Sequence, residues 1–432
     1  MSDGTPRISV IVPAYNSERF LPQALDSLFA QTLQDIEVVV VDDGSSDGTG
    51  DILAAYRKTH PNLRCITQEN RGVSAARNRA LAAATGRYLT FLDADDYYAP
   101  DTLSAFAACA EKTNADVILG RLCMVEDGKE TGFHAMADEL AKEAAVDVFD
   151  KRLLWNFLVS NKCYRRAFLA AHDIRFPATG FSEEGAFFMD AVYAGAVIAG
   201  TAESVVYYRR HTAAEGLSVS QTANVKNLES LDGSMKHIYA SAAAALSRAK
   251  KTDSAYLREI IYKHLHILAS QFYRELWRMS EQALALCAAQ IRALLPQLSS
   301  QQVISICKAN PDLNLTAPCD SRTAAAAHPM ISVVVTKTCT AEAAKALFLQ
   351  SSPLFELLLT PRAAENLPEE LLSLPNVHVN RDASPKATHV LRCGVLPVYE
   401  PGVLQLLYRA GLPAPGVTAK VVDRLLKWRH KR

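Results

Sequence analysis

The chain has no surplus charge of either sign: 46 lysines and arginines face 46 aspartates and glutamates over 432 residues. Nucleic-acid binding needs a basic face, and this balance favours none. Long apolar runs are missing too. The N-terminus, MSDGTPRISVIVPAYN, puts acidic and turn residues before an apolar run of strand length, unlike a signal peptide or a membrane span. The apolar stretch at 187–200 is too short to cross a bilayer and contains Asp190. Cysteine pairing is also lacking. The nine cysteines are scattered, odd in number and without a Cys-x-x-Cys pair, which argues against a disulfide framework or structural zinc and fits a reducing cytosol. They read mostly as small buried hydrophobes. No Gly-x-Gly-x-x-Gly follows Val12, and there is no Walker phosphate loop, Gly-x-Ser-x-Gly elbow or His-Glu-x-x-His pair. Dinucleotide oxidoreductases, P-loop ATPases, elbow-type hydrolases and zinc proteases lose their support.

What is present has ordinary globular composition and a length that suggests two or three domains. The first hundred residues alternate strand and helix. Ile8 to Val12 is a β run ending at Pro13, and Asn16 or Ser17 can cap a helix carrying Phe20, Leu21, Ala24, Leu25 and Leu28 at helical spacing. Ile36 to Val41 is β-branched without polar alternation, as a central parallel strand covered on both faces should be. A helix over 49–58, a strand over 63–67, a helix over 73–84 and a strand over 88–92 follow, with Pro100 placed for the first turn of another helix. This is a doubly wound α/β pattern, whose ligands bind outside the C-terminal ends of the strands. Polar residues gather at those ends.

The middle region ends in a strand over 204–208 and the basic Arg209-Arg210-His211. Residues 221–310 read as helical; Tyr256 to Met279 is amphipathic and suits either packing or a membrane surface. A Pro-, Ser- and Ala-rich linker covers 311–329. The tail then echoes the start: ISVIVPAYN at Ile8 by ISVVVTKTC at Ile331, LFAQTLQDIEVVVVDD at Leu28 by LFLQSSPLFELLLTPR at Leu347, and YLTFLDADDYYAPDTL at Tyr88 by HVLRCGVLPVYEPGVL at His389. In this register Pro361 stands opposite Asp42, and Gly394 and Leu396 opposite Asp93 and Asp95. The expected division is a catalytic domain over 1–220, the helical region, the linker, and a shrunken noncatalytic α/β copy over 330–432, serving assembly, stability or acceptor docking.

Asp93-Ala94-Asp95 follows an apolar strand at the sheet crevice. Hard divalent ions take carboxylate oxygens, and Mg²⁺ commonly binds one or two carboxylates plus substrate phosphates; the rival reading is an acidic loop before the next helix. Asp42 and Asp43 can meet a nucleotide's base or ribose, or simply build a tight turn up to Gly48. Arg77, behind Gly72, can bond a phosphate or an acidic partner, or form a surface salt bridge.

The combination VIVPAYN, VVVDDGSSDGT, ENRGVSAARN and YLTFLDADD, in this order, resembles the family 2 glycosyltransferases of GT-A fold, the bacterial cell-surface polysaccharide enzymes in particular. Weaker similarity runs on through SNKCYRRAFL, GFSEEGAFF and VVYYRRH, about the first half of the chain. The resemblance implies a nucleotide pocket lined by Pro13, Tyr15, Asp42 and Arg77, with Asp93 near ribose and metal and Asp95 as principal ligand of Mn²⁺ or Mg²⁺. Where the family has Glu-Asp this chain has Glu183-Glu184; Glu184 is the implied base, one methylene longer than usual, and Glu183 its rival. Arg210 or His211 would approach the diphosphate.

The implied reaction is a single inverting transfer from a nucleoside-diphosphate sugar, UDP preferred by family tendency, to a hydroxyl of a glycan or lipid-linked glycan in cell-surface polysaccharide biosynthesis. Without the QxxRW stretch and membrane helices of processive relatives, single addition is expected; Leu276-Trp277-Arg278 is a poor match. The enzyme would be cytoplasmic, or peripheral on the inner membrane, with the basic apolar tail 420–432 either touching anionic lipid or solvated. The rival class is a noncatalytic sugar-nucleotide or glycan-binding scaffold. Donor sugar, acceptor, linkage and subunit number are not written in the sequence.

Overall fold

Unbroken β-branched runs and helix-spaced leucines set the first elements. In the computed structural model β1 spans Ile8–Ala14, α1 Leu21–Phe29, β2 Ile36–Asp42, α2 Thr49–Thr59, β3 Leu63–Thr67, α3 Val73–Ala83 and β4 Tyr88–Phe91. Next come β5 (Tyr97–Tyr98), α4 (Thr102–Thr113), β6 (Val117–Glu126), β7 (Lys129–Phe133) and α5 (Ala135–Leu140). Then follow β8 (Lys162–Arg165), α6 (Arg166–Ala171), α7 (Glu183–Tyr193), β9 (Ile198–Arg210), α8 (Val225–Arg248) and α9 (Ser254–Ile267). The structure describes residues 5–210, 224–268, 281–294, 297–299, 331–340, 355–365, 369–372, 377–380, 389–395 and 417–418, with 302 and 367 singly. His211, residues 269–280, the linker, Leu396 and the basic tail lie outside the described residues.

The chain divides into two compact units, Met1–Ser220 with Glu229–Lys263, and Gln221–Leu228 with His264–Arg432. The first is built on a sheet in the order β3-β2-β1-β4-β8-β6-β9-β5, with β7 beside β6. β1 to β4 are mutually parallel, and β8 pairs antiparallel with β4 and β6. Every residue of β2 is buried, because helices cover both faces. Val10, Val12, Val38 and Val40 pack with Leu21, Ala24, Leu25 and Leu28 of α1 in one core cluster. This is a GT-A-type Rossmann core.

Details at the element ends differ from the sequence expectation. Asn16 and Ser17 do not cap α1 by side chain; Phe20 is the boundary residue, while Asn16 takes a left-handed φ of 47° and turns to the neighbouring loop. The Ser17 carbonyl instead accepts from Phe20 and Leu21 N–H. Pro100 lies before the boundary residue Asp101 of α4, outside the helix. β9 is longer than expected because its start pairs with β6 and its end runs alongside the β6–β7 hairpin.

In the second unit, α10 (Glu281–Leu294) precedes β10 (Ile331–Thr338), β11 (Phe355–Leu359), α11 (Pro361–Ala364), α12 (Glu369–Leu372), β12 (Val377–Val379), β13 (His389–Val395) and β14 (Val417–Thr418). These strands form a parallel sheet in the order β12-β11-β10-β13-β14. The first four positions repeat β3-β2-β1-β4. Register repeats as well: Ile8 pairs with Ile36 and Tyr88, and Ile331 pairs with Phe355 and His389.

A buried carboxylate fastens the N-terminal edge of the first sheet. Glu37 Oε1 accepts from Ser9 Oγ at 2.5 Å, Thr85 N at 2.5 Å, Thr85 Oγ1 at 2.8 Å and Gly86 N at 3.0 Å. Burial alone would raise its pKa, but these donors outweigh burial and hold it below the ordinary range. A lowered folded pKa gives stability that is complete above the unfolded value, about 4.3, and lost as pH falls through the folded one. Glu37→Gln should therefore cost about 1–3 kcal/mol at neutral pH. Thermal melts across pH should show the gap from wild type narrowing in acid; a gap independent of pH would contradict this.

Candidate active site

The C-terminal ends of β2, β1 and β4 lie side by side, at the point where strand order reverses. At β1, Pro13 is half-buried and Tyr15 is 51% exposed. Register puts Ala14 against Asp42 of β2. Asp42 is buried, and its Oδ1 accepts Ser45 N–H at 3.0 Å. The two loops above these strands are laced together: Ser46 N–H donates to Asn16 Oδ1 (2.9 Å), Asn16 N–H to Ser45 Oγ (2.9 Å), Ser17 N–H to Thr49 Oγ1 (2.8 Å) and Gly48 N–H to Glu18 Oε2 (2.7 Å). Tyr15 and Asp42 thus flank a prebuilt ledge suited to a flat base and a ribose.

Asp43 braces the neighbouring turn. It accepts from Gln68 Nε2 (2.7 Å), Arg71 N–H (2.9 Å) and Gly72 N–H (2.8 Å), fixing the entry to α3. Gly44 makes this turn possible: its φ is +79°, and a Cβ there would stand 2.9 Å from Asn70 N.

From α3, Arg77 reaches into the site and is 2% exposed. Its Nη1 donates to Glu183 Oε1 at 2.9 Å, and its Nη2 to Asp93 Oδ1 at 2.7 Å and Glu184 Oε1 at 2.5 Å. The guanidinium also lies 5.2 Å from the Phe176 ring centre. Burial works against its charge, but Asp93, Glu184 and Glu183 together hold its pKa above the ordinary value. α3 is further tied to the segment before α7 through Asn78 and Phe176, which exchange bonds of 2.8 and 2.9 Å. α7 starts at Ser182, in left-handed conformation with φ 61°, so both glutamates lie in its first turn at the positive end of the helix.

Glu184 is held from two sides. Arg77 binds Oε1, and Val159 N–H donates to Oε2 at 3.1 Å. Burial, with Asp93 and Glu183 adding to it, pushes its pKa up to about 7 against the pull of Arg77 and the Val159 N–H. The side chain keeps 14% exposure, an edge open to a reacting group.

The acidic loop after β4 is clamped from β9. Arg209 N–H donates to Asp96 Oδ1 (2.8 Å), Arg209 Nε to the Asp95 carbonyl (2.9 Å) and Arg209 Nη2 to Gln23 Oε1 (2.6 Å). Asp96 is fully enclosed; burial, then Asp95 and Asp93, raises its pKa well above the carboxylate range. Its Oδ2 has no hydrogen-bond partner. Among the described residues no three Asp, Glu, His or Cys side chains form a ready-made metal cage. The donor set fits the sparser arrangement in which a hard cation takes one or two carboxylates and completes its shell from phosphate and water. Asp93 and Asp95, both half-buried, are the carboxylates that would be offered to such a cation.

The structure thus gathers Arg77, Asp93, Glu183 and Glu184 into one cluster, with Asp95 on the adjoining loop. Pro13, Tyr15 and Asp42 line the neighbouring strand ends. Arg210 is exposed at the last position of β9, outside that cluster's bonds, and His211 is outside the described residues. Both terminal nitrogens of Arg77 donate to carboxylates, while its buried Nε has no hydrogen-bond partner. Sequence reasoning did not single out the clamp by Arg209, the enclosed Asp96 or the buried Lys162; only the strings YYRRH and SNKCY marked their neighbourhood.

An open α/β sheet with acidic loops at its switch point, and a buried carboxylate–guanidinium cluster beside them, defines a GT-A-class protein. Residues 9–172 match glycosyl transferase family 2. A Nostoc protein described as an uncharacterized glycosyltransferase is 30% identical over 235 residues, 52% of this chain and 72% of that one. The putative glycosyltransferase EpsH of Bacillus subtilis is 34% identical over 179 residues, covering 41% of this chain and 52% of EpsH. The match therefore spans about half the length of EpsH. The crystal structure of residues 1–349 of Staphylococcus aureus TarS in complex with UDP is similar, with TM-score 0.52 and 26% identity, covering 69% of this chain and 86% of that one. Its complex with UDP-GlcNAc gives 0.51 and 27%. This chain belongs to the family 2 glycosyltransferases.

Breaking the central ion cluster should be severe. Arg77→Met would leave buried carboxylates without their cation, at a cost of about 3–5 kcal/mol. Arg77→Lys should rescue little, because one ammonium cannot reproduce the guanidinium fork. Thermal melts of both variants test this; an Arg77→Met melt equal to wild type would contradict it.

Proposed function

We propose that the first unit transfers a sugar from a nucleoside diphosphate, UDP by preference, to an acceptor hydroxyl with inversion. The observation that carries this reading is Glu184, held at two points, with its pKa near neutrality and an edge open to solvent. Similarity to TarS, solved with UDP and with UDP-GlcNAc, supports the donor class. That relative is named a poly(ribitol-phosphate) beta-N-acetylglucosaminyltransferase, which supports a glycan or lipid-linked glycan acceptor in cell-surface polysaccharide synthesis.

In this reading Tyr15 and Pro13 face the base, Asp42 its polar edge, and Asp93 the ribose. Glu184 takes the acceptor proton as the hydroxyl oxygen attacks the anomeric carbon and the bond to the diphosphate breaks. Glu183 shares Arg77 with Glu184 and keeps the guanidinium in place. Asp95 and Asp93 would hold Mn²⁺ or Mg²⁺, which neutralises charge on the leaving diphosphate. Arg210, at the end of β9, or His211, next in sequence, would approach the diphosphate. No helix among the described residues is long and apolar enough to cross a membrane; work at the cytosolic membrane face remains part of the proposal.

The test is a nucleotide-sugar panel with Mn²⁺ or Mg²⁺, following release of nucleoside diphosphate. One donor should turn over, and EDTA or Asp95→Ala should abolish it. Glu184→Gln should cost about 10²–10⁴-fold in rate. Because the base must be ionised, kcat/KM should fall about tenfold per unit below roughly pH 7. The absence of both turnover and metal-dependent binding of any nucleotide sugar would sink the reading in favour of a scaffold.

We further propose that 330–432 is a noncatalytic copy of the nucleotide-binding half, on the strength of the repeated strand order and register. At the position of Asp42 stands Pro361, opening α11, with Thr360 Oγ1 accepting Ala363 N–H at 3.3 Å. A short helix thus occupies the place of the acidic turn. Calorimetry should find one UDP per chain, all of it lost in Asp42→Ala; two sites would contradict the copy's loss of chemistry.

A further inference from the structure

Lys162 opens β8 and is completely buried. Among the described residues its ammonium meets no carboxylate within ion-pair distance. Asn156 Oδ1 at 3.3 Å, Asn161 Oδ1 at 2.9 Å and the Leu158 carbonyl accept from it, and the Phe188 ring lies 4.5 Å away. Burying an ammonium is costly unless every donor is satisfied. Burial pushes its pKa well below the ordinary lysine range, with the charge of Glu184 opposing; the oxygen acceptors match the N–H donors of the protonated amine.

All the oxygens around Lys162 belong to one segment, 156–161. That segment is anchored elsewhere as well. Asn161 Nδ2 donates to the Gly120 carbonyl (2.9 Å), Gly120 N–H to the Asn161 carbonyl (2.8 Å), and Tyr98 Oη to the Ser160 carbonyl (3.1 Å). Two of its buried polar atoms, Asn156 Nδ2 and Ser160 Oγ, find no partner. The segment's conformation is therefore not the one that best satisfies its own polar groups. What it does present is Val159 N–H, 3.1 Å from Glu184 Oε2.

We propose that Lys162 is a positioning residue: it gathers the 156–161 segment around its ammonium and so aims Val159 N–H at Glu184. The inference rests on Glu184 being the base. Glutamate has one more rotatable bond than the aspartate implied at this position, and a carboxylate pinned only by Arg77 would swing about that contact. The second hold, from Val159, fixes the carboxylate plane. Lys162 thus acts on the base through backbone, without touching substrate.

The test uses the full chain carrying Lys162→Met and, separately, Val159 replaced by its α-hydroxy analogue, which removes the N–H facing Glu184 and makes the Leu158 carbonyl a weaker, ester acceptor for Lys162. Readouts are amide hydrogen exchange over 157–160, UDP affinity by calorimetry, and turnover of UDP-GlcNAc and UDP-glucose with Mn²⁺. Lys162→Met should speed exchange over 157–160 at least tenfold while UDP affinity stays within about twofold. In both variants kcat should fall at least tenfold with the donor KM within about threefold. Unchanged kcat in either variant, or parallel loss of UDP binding, overturns the proposal in favour of a purely structural lysine. Should Lys162→Met fail to fold, the Val159 analogue decides alone. Should the wild type turn over no donor, the proposed activity is in difficulty, and unchanged exchange in Lys162→Met still rejects the aiming role.

Discussion

A single guanidinium, that of Arg77, joins three carboxylates that would otherwise repel one another. It brings the carboxylate after β4 together with both glutamates that open α7, in a place almost closed to water. An isolated buried cation, or any one of those anions alone, would be strongly unfavourable there. Their mutual compensation makes the arrangement tenable, yet it is incomplete, since one positive charge faces several negative ones. The residual negative field gives the strand ends their character. With burial as the larger cause, it pushes the pKa of Glu184 up to about 7 and that of Asp96 well above its ordinary value. The path of α3 serves this one contact: Asp43 fixes the entry at Arg71 and Gly72, and Asn78 ties the helix to Phe176 on the approach to α7.

Much of this was readable in advance because it is local. The apolar runs at Ile8 and Ile36 and the helix-spaced leucines of α1 express backbone periodicity directly; the two strands fall within a residue or two of the expected bounds, while the boundary residue of α1 lies three or four residues beyond its expected cap. Clustering of acidic residues at strand ends was equally plain. Partnership was not. Whether Arg77 meets a phosphate or a carboxylate depends on residues 106 and 107 positions away, and no spacing rule reaches that far. The same holds for Arg209, which clamps a loop more than a hundred residues earlier. Asn16 misled for the opposite reason: its residue type suits a cap, but a tertiary bond to Ser46 won over the local one.

The parallel strands β1 to β4 of the mixed first sheet have a counterpart in the second sheet. β10, β11, β12 and β13 keep the order and register of β1, β2, β3 and β4, so apolar pattern alone suffices to rebuild the scaffold. The acidic turn after β2 gives way after β11 to a proline-led helix. Fold and function are therefore carried by different residues, and either can change while the other stays.

The lacing of the loops after β1 and β2 has a consequence for how this protein can vary. Asn16 with Ser46, Ser17 with Thr49, and Glu18 with Gly48 are about thirty positions apart, yet each pair shares one hydrogen bond. Each of these bonds runs from a backbone N–H to a side-chain oxygen, so replacing Asn16, Thr49 or Glu18 strands a backbone donor, while replacing Ser46, Ser17 or Gly48 leaves the donor in place. The burden of holding the ledge beside Tyr15 therefore falls on three side chains, Asn16, Glu18 and Thr49, and the identity of the residues facing them across the gap is left free by these bonds.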